Sequence, residues 1–524
     1  MRAAAVVIGA GMGGLASAAL LAARGMQVTV VEKHDGPGGK VRQVQVGGSE
    51  IDAGPTVFTM RDVFDTLFED LGQSLADYVQ LKPANILARH AWSAGARLDL
   101  FADREESADA IGAFAGAEAA RGFQAFSAEA KRIHDILDRP FLRAAKTSPP
   151  GLMWRIGLWR LHALLAIRPY ESLWKVIGEH FADPRLRQLF SRYSTYCGSS
   201  PFETPATLML IAHVEASGVW LVEGGLSALA KALETVARVA GVTFRYGESV
   251  DNILVERGHA AGVVTSAGEQ LRADAVIVNA DPAALGDGRF GEAARAAVRP
   301  LPAKRRSLSA LTWMMNAETE GPPLVRHNIF FSDDYRAEFA DIRAGRTPAS
   351  PSVYVCAQDR DATDRSSSAG RQRFQIIVNA PANGDRHIYT SEEIETCSRQ
   401  MHARLTACGL TLRPTDAPHI VTPDRFEQLF PSTGGALYGR ASHGWAASFL
   451  RQSSRTRIPG LYCAGGSTHP GAGVPMAALS GRLAAEAVLK DRASIAKSYP
   501  AAMPGGMSTR SAKMASSASP SSAS

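Results

Sequence analysis

A glycine-rich turn near the start of the chain limits the possible folds more than any other feature. The apolar residues 5–8 predict a strand that leads directly into Gly9-Ala10-Gly11-Met12-Gly13-Gly14, and the pattern predicts a helix over 15–24. A second apolar strand, at 28–31, ends at Glu32, which lies 23 residues after Gly9. This order of strand, glycine turn, helix, strand and acid is typical of a dinucleotide-binding unit.

Each part of this unit has a physical role. Gly9 permits the tight turn, Gly11 lets the backbone approach a diphosphate, and Gly14 lets the helix and the strand pack closely. The N-terminus of the helix offers free N–H groups and a partial positive charge to the phosphates. Glu32 stands where a carboxylate accepts hydrogen bonds from the hydroxyl groups of a ribose.

The charge of the chain does not indicate a nucleic-acid-binding protein. The 524 residues carry 57 basic and 51 acidic side chains, which gives a net charge of +6. Residues 141–177 hold six of the basic side chains and one acid, a local balance of +5. Binding to nucleic acid would need a broader basic surface.

Cysteine and histidine give no sign of a disulfide framework or of a metal site. The five cysteines are widely spaced without a Cys-x-x-Cys pair, and the 13 histidines are scattered, so a reducing compartment is favoured. The first strand begins near residue 5, which leaves no room for a cleavable signal peptide. No apolar run reaches the roughly 18–20 residues that span a bilayer. We therefore expect a cytoplasmic protein, with attachment to a membrane surface left open.

A second glycine pair favours FAD over NAD as the dinucleotide. Gly38 and Gly39 follow the ribose-binding acid closely, so the chain can pass the diphosphate a second time, and Lys40 can add a compensating charge.

A third glycine cluster near the end of the chain supports the same cofactor. A strand predicted at 460–464 meets a loop that contains Gly465, Gly466 and Gly473, and a helix is predicted from Val474. A loop without bulky side chains can approach a flat ring closely. The N-terminus of the helix stabilises negative charge on a reduced flavin.

The pattern of apolar residues predicts an α/β fold with a discontinuous Rossmann-type FAD-binding domain, a mixed α+β substrate domain and a helical cap. The predicted FAD-binding domain comprises residues 1–60, 222–300 and 456–492. Residues 61–221 read as mostly helical and form the cap, and 301–455 form a β-rich substrate-binding region. Residues 493–524 are rich in Ser, Ala, Pro and Met and are predicted to be a disordered tail.

Eight short motifs carry a resemblance to a known family. They lie at 7–15, 31–33, 37–39, 52–56, 191–196, 224–226, 279–281 and 468–475. The set resembles the phytoene-desaturase family of FAD-dependent carotenoid desaturases over about residues 4–490, and Thr468-His469-Pro470-Gly471 is its most specific part. Within the family, residues 475–482 resemble the 1-hydroxycarotenoid 3,4-desaturases, also called hydroxyneurosporene desaturases. Related flavin amine oxidases usually carry an acidic residue where this chain has Gly466, which argues against that branch.

The resemblance implies further cofactor-binding residues besides those that the glycine pattern indicates. The whole predicted set is Gly9, Ala10, Gly11, Gly13, Gly14, Glu32, Lys33, Gly38, Gly39, Lys40, Gly54, Pro55, Thr56, Val250, Gly465, Gly466, Gly473, Val474 and Met476.

The implied reaction removes two hydrogens from adjacent carbons of a long polyene, with a hydride passed to the flavin and a proton released. The conjugated substrate delocalises charge, so the protein needs little acid–base machinery. Asp52 and His469 are the candidate proton acceptors, although Asp52 can equally bond a backbone turn and His469 can pack beside Pro470. Arg192, Tyr193 and Glu223 are predicted to border the substrate tunnel.

The cap is predicted to face a membrane, because the implied C40 substrate resides in a bilayer. The apolar residues 151–167 are edged by arginines, and Trp154, Trp159 and Trp174 lie in or near this segment. Such a composition suits a helix in the headgroup layer, where each basic residue near anionic lipid adds about 1 kcal/mol. The predicted membrane surface spans 151–177, on the inner face of the cell membrane. The alternative is a buried helix of the cap, in which each arginine needs a partner.

Several alternatives stay open at this point. The same fold serves phytoene- or lycopene-type desaturases, carotenoid isomerases, ketolases and amine oxidases. A non-enzymatic alternative is a lipid carrier similar to the GDP-dissociation inhibitors. The electron acceptor, oxygen or a quinone, and contacts with other carotenoid-pathway enzymes are also left open.

Overall fold

The computed structural model describes residues 3–157, 166–361 and 370–498. Within them, a parallel sheet of five strands forms the centre of the nucleotide-binding part. In sheet order the strands are Leu461–Cys463, Ala275–Val278, Ala4–Ile8, Gln27–Val31 and Thr243–Arg245. They come from three separate stretches of the chain, which confirms the predicted discontinuous Rossmann-type domain.

Both faces of this sheet are covered, as is usual for parallel strands with apolar residues on both sides. One face packs in a single core, which contains Val7 and Ile277, against the helices Met12–Ala23, Leu226–Val239 and Val474–Ser498. The opposite face contributes Val6 and Val278 to a second core. That core is completed by the strands Val250–Glu256, His259–Thr265 and Gln270–Arg272 and the short helices Pro282–Gly286 and Glu292–Arg295.

A second sheet, with eight strands in the described chain, forms the mixed α+β part. Its strands are Ile86–Ala91, Arg97–Phe101, Ser309–Glu320, His327–Phe330, Val353–Ala357, Gln372–Ala380, Thr411–Pro414 and His419–Val421. The helix Ser391–Ala407 covers one face, where Met401 and Leu405 pack in one core with Trp313 and Phe374.

The cap is a group of helices around an aromatic core. The helices are Arg104–Ala115, Ala117–Leu137, Pro149–Ile156, Leu173–His180, Pro184–Ser191 and Leu210–Ala216. Phe126 lies 4.7 Å from Phe190, and Phe190 stacks on Phe181 at 4.6 Å between ring centroids. Aromatic pairs in this range add to the stability that burial alone provides.

Shorter elements connect these parts. Two small antiparallel strand pairs are Gln43–Val46 with Ser49–Asp52 and Leu81–Pro83 with Trp220–Val222. The remaining helices are Arg61–Asp70, Tyr335–Arg343, Pro423–Leu429 and Ala447–Leu450. Single turns of other helical types are Leu75–Asp77, Ser93–Gly95, Asp138–Leu142, Arg192–Cys197, Ala206–Met209 and Ala303–Arg305.

The structure differs from the predicted segments in three places. The region 61–221 was predicted to form a helical cap, but Ile86–Ala91 and Arg97–Phe101 are strands of the mixed sheet. The helix Arg61–Asp70, assigned to the cap, packs its apolar face into the core of the nucleotide-binding part, because Phe64 and Phe68 point there. Residues 493–498, assigned to the tail, continue the last helix to Ser498.

Some predictions fall outside the described residues. These predictions concern residues 158–165, which include Trp159 of the predicted membrane segment, and residues 499–524 of the predicted tail. Among the residues that are described, the helices are too short or too polar for any of them to cross a membrane.

Candidate functional site

The first and the third glycine cluster of the sequence meet around one side chain, that of Asn279. Its backbone N–H donates to Ile8 O at 2.8 Å, which places it after the strand next to Ala4–Ile8. A Cβ on Gly11 would stand 2.6 Å from Asn279 Nδ2, and one on Gly13 would stand 2.8 Å from its Oδ1. A Cβ on Gly465 would also lie 3.1 Å from Oδ1. The turn that begins at Gly9 and the C-terminal loop are thus packed against each other through Asn279.

The second glycine pair lies against the first turn, as a second pass of the chain by the diphosphate requires. Gly38 N donates to Ala10 O at 2.8 Å, and Gly11 and Gly38 form an isolated parallel bridge. A Cβ on Gly39 would lie 3.3 Å from Gly11 Cα. Close neighbours leave no room for a side chain at Gly11 or at Gly38, where a Cβ would lie 2.6 Å from Asn279 Nδ2 and 2.0 Å from Val41 O.

The N-terminus of the Met12–Ala23 helix opens at this junction. Gly11 is its N-cap, and within the described chain no side chain caps it. The first N–H groups of a helix have no partner inside the helix, so an anion such as a diphosphate satisfies them. The uncapped helix and the glycine backbones around it therefore fit the predicted FAD.

Glu32 lies close to the start of the strand that begins at Val250, where the ribose is predicted to bind. Glu32 is buried, and its Oε2 accepts a hydrogen bond of 2.7 Å from Ala10 N. The N–H of Glu248 donates to Glu32 O at 3.0 Å, which brings the start of the Val250–Glu256 strand beside the acid. Lys33 is exposed, and its Nζ donates to Leu429 O at 2.6 Å, so this side chain points towards the Pro423–Leu429 helix.

The side chain of Lys40 extends from the predicted diphosphate region into the interior of the protein. Its Nζ donates to Leu437 O at 2.5 Å and lies 5.2 Å from the ring of Phe430. Burial lowers the pKa of Lys40. Gly54, which begins the predicted segment Gly54, Pro55 and Thr56, packs directly on the backbone of Lys40, because a Cβ on Gly54 would lie 2.0 Å from Lys40 O.

The C-terminal loop combines close packing with open space. Gly465 N donates to Ser480 Oγ at 3.2 Å, whereas a Cβ added to Gly466 would meet no atom within 4 Å. Gly473 is exposed, Val474 is buried at the start of the last helix, and Met476 packs against both the nucleotide-binding core and the cap core. The loop therefore has open space beside the Cα of Gly466.

Three tyrosines lie in the interior of the molecule. Burial raises the pKa of the phenols of Tyr196, Tyr354 and Tyr438, and all three residues keep some accessible surface.

Asp52 is buried and holds the start of a helix. Its Oδ2 accepts a hydrogen bond of 3.0 Å from Leu226 N, the first residue of the Leu226–Val239 helix, while Oδ1 has no partner in the described chain. Gln358 is bonded to both backbone groups of Asp52 at 2.9 Å. Burial raises the pKa of Asp52, which favours its neutral form.

His469 is also buried and has a defined tautomer. Its Nε2 lies 2.9 Å from Ala144 O, and since a carbonyl only accepts, Nε2 carries the proton. Nδ1 therefore has a lone pair, and within the described residues it has no partner. Burial lowers the pKa of His469 to about 4, so the ring is neutral at neutral pH. His469 and Asp52 form no ion pair with each other in the described chain. Asp52 is bonded to Leu226 N, and His469 is bonded to Ala144 O.

Two of the residues that were predicted to border the tunnel form a buried network instead of an open wall. Arg192 Nη2 contacts both carboxylate oxygens of Glu215 at 3.1 Å, and Nη1 donates to Tyr196 Oη at 2.7 Å. Tyr193 Oη donates to Glu215 Oε2 at 2.5 Å. Glu223, predicted at the same border, has an exposed carboxylate that pairs with Lys82 at 3.8 Å, and its place at the tunnel stays a prediction.

One group of possible metal ligands occurs in the described residues. Ligand atoms of His134, Asp135 and His213 lie within 4.8 Å of one another. The carboxylate of Asp135 is already bonded to Lys131 Nζ at 2.5 Å. We assign no metal to this group.

Comparison with known proteins agrees with this geometry. Residues 12–489 match the model of the flavin-containing amine oxidoreductase family. A hydroxyneurosporene desaturase of Rubrivivax gelatinosus is 51% identical over 97% of this chain and 97% of its own length. A hydroxyneurosporene desaturase of Cereibacter sphaeroides is 44% identical over 93% of this chain and 98% of its own.

The chain belongs to the FAD-dependent carotenoid desaturases. The predicted family, FAD as the cofactor and the oxidoreductase class are thereby confirmed. A solved oxidoreductase of Methanosarcina mazei, 17% identical, has the same fold with a TM-score of 0.57 over 93% of this chain and all of that one. The roles of individual site residues stay predictions.

Sequence reasoning missed Asn279 and Arg451 as members of the site. Asn279 was noted only as part of a family motif, although its place at the carboxyl end of a parallel strand is a signal for a binding residue. Arg451 is buried, and its Nη1 donates to Tyr438 O at 2.9 Å and to Gly466 O at 3.3 Å. Nothing in its local sequence shows that it braces the C-terminal loop 465–473, which is called the flavin-side loop below because it is predicted to face the flavin.

Proposed function

We propose that the protein introduces the 3,4 double bond into a 1-hydroxycarotenoid of the hydroxyneurosporene or rhodopin type. The observation that carries this proposal is the 51% identity, along nearly the whole chain, to a protein named hydroxyneurosporene desaturase. The comparisons do not favour the lipid-carrier alternative, and the glycine clusters that a dinucleotide needs are all in place.

The geometry supports a role for the chain in positioning and in exclusion of water. When bound, FAD supplies the oxidising power for the removal of two hydrogens. Asp52 is tied to a helix N-terminus and His469 to the carbonyl of Ala144, so each is held rigidly. Either group can accept the released proton only through its free atom, Oδ1 of Asp52 or Nδ1 of His469.

The test is an assay of the flavin-loaded enzyme in liposomes with 1-hydroxyneurosporene and, separately, with phytoene. We expect a product two hydrogens lighter than 1-hydroxyneurosporene, with its absorption bands shifted to longer wavelength, because the polyene gains a conjugated double bond. Phytoene should stay unchanged. Conversion of phytoene without conversion of the hydroxylated substrate would contradict the proposal and favour a phytoene-type desaturase.

We further propose that the enzyme works at the inner face of the cell membrane and takes its substrate from the lipid. Trp154 is 73% exposed and Tyr170 75%, and both lie in the segment 151–177. Tyr170 contacts Trp445, which is itself 46% exposed, at 5.8 Å between ring centroids. Exposed aromatic rings of this kind are typical of surfaces that enter the headgroup layer.

A row of aromatic rings links this surface with the flavin-side loop. Trp445 is followed by Phe449 at 6.5 Å, Phe141 at 5.5 Å from Phe449, and His469 at 5.0 Å from Phe141. The row supports a path for an apolar substrate between the surface and the loop.

The basic residues of 141–177 contribute less to membrane binding than their number indicates. Arg168 binds Glu129 at 2.8 Å and Glu179 at 2.7 Å, and Lys175 binds Glu171 at 2.9 Å. Arg143 binds Asp62 at 2.6 Å. These partners lie mainly outside the segment, so the proposal rests on the exposed aromatic rings.

Replacement of both Trp154 and Trp445 with serine should reduce the fraction of enzyme that sediments with anionic liposomes several-fold, because two large apolar side chains leave the lipid contact. Ile388→Ser removes another hydrophobic side chain, 79% exposed, from a different part of the surface and serves as the control. Equal sedimentation of the double variant and the control would contradict the proposed surface.

A further inference from the structure

An open groove of about 530 Å³ lies on the cap, where the Leu173–His180 helix and the Tyr335–Arg343 helix both contribute to its lining. This volume is within the range of about 300–1,000 Å³ that is usual for ligand sites. Among the described residues, the lining includes two aromatic and three basic side chains, those of Trp174, Phe202, Lys175, Arg187 and Arg336. The one acidic residue of the described lining is Glu179. The groove therefore favours an anionic ligand.

Two of the basic side chains in the groove are not neutralised. Lys175 is paired with Glu171 at 2.9 Å, and the acid of the groove, Glu179, is paired with Arg168 at 2.7 Å. In the part of the chain that the structure describes, Arg187 and Arg336 have no carboxylate partner. The positive charge that a ligand would meet in the groove therefore comes from these two arginines.

Aromatic rings hold both guanidinium groups at the groove. Arg187 Cζ lies 5.0 Å from the centroid of the Trp174 ring, and Arg336 Cζ lies 5.5 Å from the same ring. Arg336 Cζ also lies 4.5 Å from the centroid of the Phe202 ring. A cation–π contact orients a guanidinium without using up its N–H groups as donors. Those N–H groups match the oxygens of a phosphate in a bidentate arrangement.

The position of Arg187 depends on a glycine of the neighbouring helix. A Cβ on Gly178 would lie 2.6 Å from Arg187 Nη2 and 2.8 Å from its Cζ. Glycine is unfavourable in the interior of a helix, yet it stands here within Leu173–His180. The missing side chain makes the room that the guanidinium of Arg187 occupies.

The groove borders the exposed aromatic rings that are proposed above to contact the membrane. Tyr170 lies two residues before the first residue of the groove lining. On the other side, Gly444 N donates to Glu203 O at 2.9 Å. This hydrogen bond joins the neighbour of Trp445 to the neighbour of Phe202, which lines the groove. The groove is therefore adjacent to the surface that is proposed to enter the headgroup layer.

We propose that this groove binds the phosphate of an anionic lipid headgroup, with Arg187 and Arg336 as the residues that contact it; the inference rests on the proposed attachment to the membrane. Free phosphate has the same charged oxygens, but the adjacent aromatic rings favour a lipid as its source. Many basic residues of 141–177 are neutralised by their own acids, so the two arginines supply an attraction for acidic lipid that this segment lacks.

The test is sedimentation of the flavin-loaded enzyme with vesicles of phosphatidylcholine alone and with vesicles of equal parts phosphatidylcholine and phosphatidylglycerol. We expect the wild type to bind the mixed vesicles more tightly. Arg187→Gln/Arg336→Gln should lower the affinity for the mixed vesicles about tenfold or more, because each basic residue near anionic lipid contributes about fivefold. Its affinity for phosphatidylcholine vesicles should change little. Arg399→Gln/Arg413→Gln removes two arginines, 68% and 69% exposed, from the mixed α+β part and is the control with the same net charge.

Gly178→Ala tests the groove without a change in charge. The added methyl group displaces the guanidinium of Arg187, whereas alanine itself favours the helix. We expect a loss of affinity for the mixed vesicles of about threefold or more, below the loss of the double variant. Gly112→Ala is the matched control, because it lies in the Arg104–Ala115 helix and its Cβ would meet Ala120 Cβ at an ordinary 3.4 Å. Wild-type flavin content per chain shows that each variant is folded.

Orthophosphate and chloride at equal ionic strength distinguish the two sources of the phosphate. We expect orthophosphate to leave most of the wild-type enzyme on the mixed vesicles, because the aromatic rings also hold the lipid-bound enzyme. Release of most of the enzyme by orthophosphate but not by chloride would overturn a lipid as the ligand. Equal affinity of the wild type, Arg187→Gln/Arg336→Gln and Gly178→Ala for the mixed vesicles would overturn the groove.

These results separate the groove from the proposed function. If the groove variants bind like the wild type while the Trp154 and Trp445 double variant is released, the membrane attachment stands and the groove is overturned. A wild-type enzyme that sediments with neither kind of vesicle would overturn both. The proposed 3,4-desaturation is decided by its own assay with 1-hydroxyneurosporene.

Discussion

Gly14→Ala is expected to yield protein without bound FAD. A Cβ at this position would lie 2.1 Å from Gly9 O and 3.2 Å from Asn279 Cβ. The first contact is with backbone, so the turn at Gly9 must move away from the helix. That turn forms one wall of the diphosphate site, and its displacement removes the geometry that the uncapped helix N-terminus needs. The measurement is the ratio of released flavin to protein.

A glycine of the neighbouring loop provides the control for this prediction. Gly36 has no positive φ, and a Cβ added there meets no atom within 4 Å. Gly36→Ala therefore makes the same chemical change without a clash, and we expect wild-type flavin content. Full flavin occupancy of Gly14→Ala would show that the turn and the helix can separate without loss of the site.

The nucleotide-binding part could be predicted from the sequence because its signals are local. Strand, glycine turn, helix and acid follow one another within residues 4–32, and each leaves a direct mark on residue type. Ile86–Ala91 and Arg97–Phe101 leave no such mark. Their sequences mix alanine, arginine and leucine, which also suit helices. The two strands pair with each other, and Ile86–Ala91 joins the sheet by pairing with His327–Phe330, far away in the chain.

In the candidate site, too, residues with a local sequence signal could be predicted, and residues placed by distant contacts could not. The glycines and Glu32 were found from their spacing, whereas the Thr56–Tyr354 hydrogen bond joins residues 298 positions apart. The exposed position of Glu223 could not be foreseen either, because its partner Lys82 lies on the strand that pairs with Trp220–Val222. Contacts of this range depend on the packing of the mixed sheet against the nucleotide-binding part.

Glu215→Ala is expected to destabilise the protein strongly. Glu215 and Arg192 are 3% and 6% exposed, so the guanidinium would be left buried without its counter-ion. Loss of one partner of such a pair typically costs about 3–5 kcal/mol. Tyr193 and Tyr196 would also lose the carboxylate that accepts their O–H groups. The shift of the thermal or urea midpoint relative to wild type is the measurement.

A surface ion pair gives the matched control. Arg413 and Glu320 are 69% and 68% exposed, so Glu320→Ala removes a carboxylate of the same kind where water replaces it. We expect its midpoint to stay close to that of wild type, because exposed pairs contribute little. A shift as large as that of Glu215→Ala would mean that burial is not the cause.

The double variant Arg192→Met/Glu215→Leu separates the charge from the packing of this network. It removes both charges and keeps apolar side chains of similar length, so no unpaired ion remains, and buried pairs exchanged in this way often cost little stability. We expect the double variant to be more stable than Glu215→Ala. Full recovery of stability is not expected, for two reasons. Tyr193 and Tyr196 still lose their acceptor. The hydrogen bond of 3.1 Å that Arg192 Nε donates to His90 Nε2 in the native chain is also lost. A double variant as unstable as Glu215→Ala would contradict this expectation. The stability of the network would then depend on the hydrogen bonds of the two tyrosines and of His90 rather than on the neutralisation of the Arg192 charge.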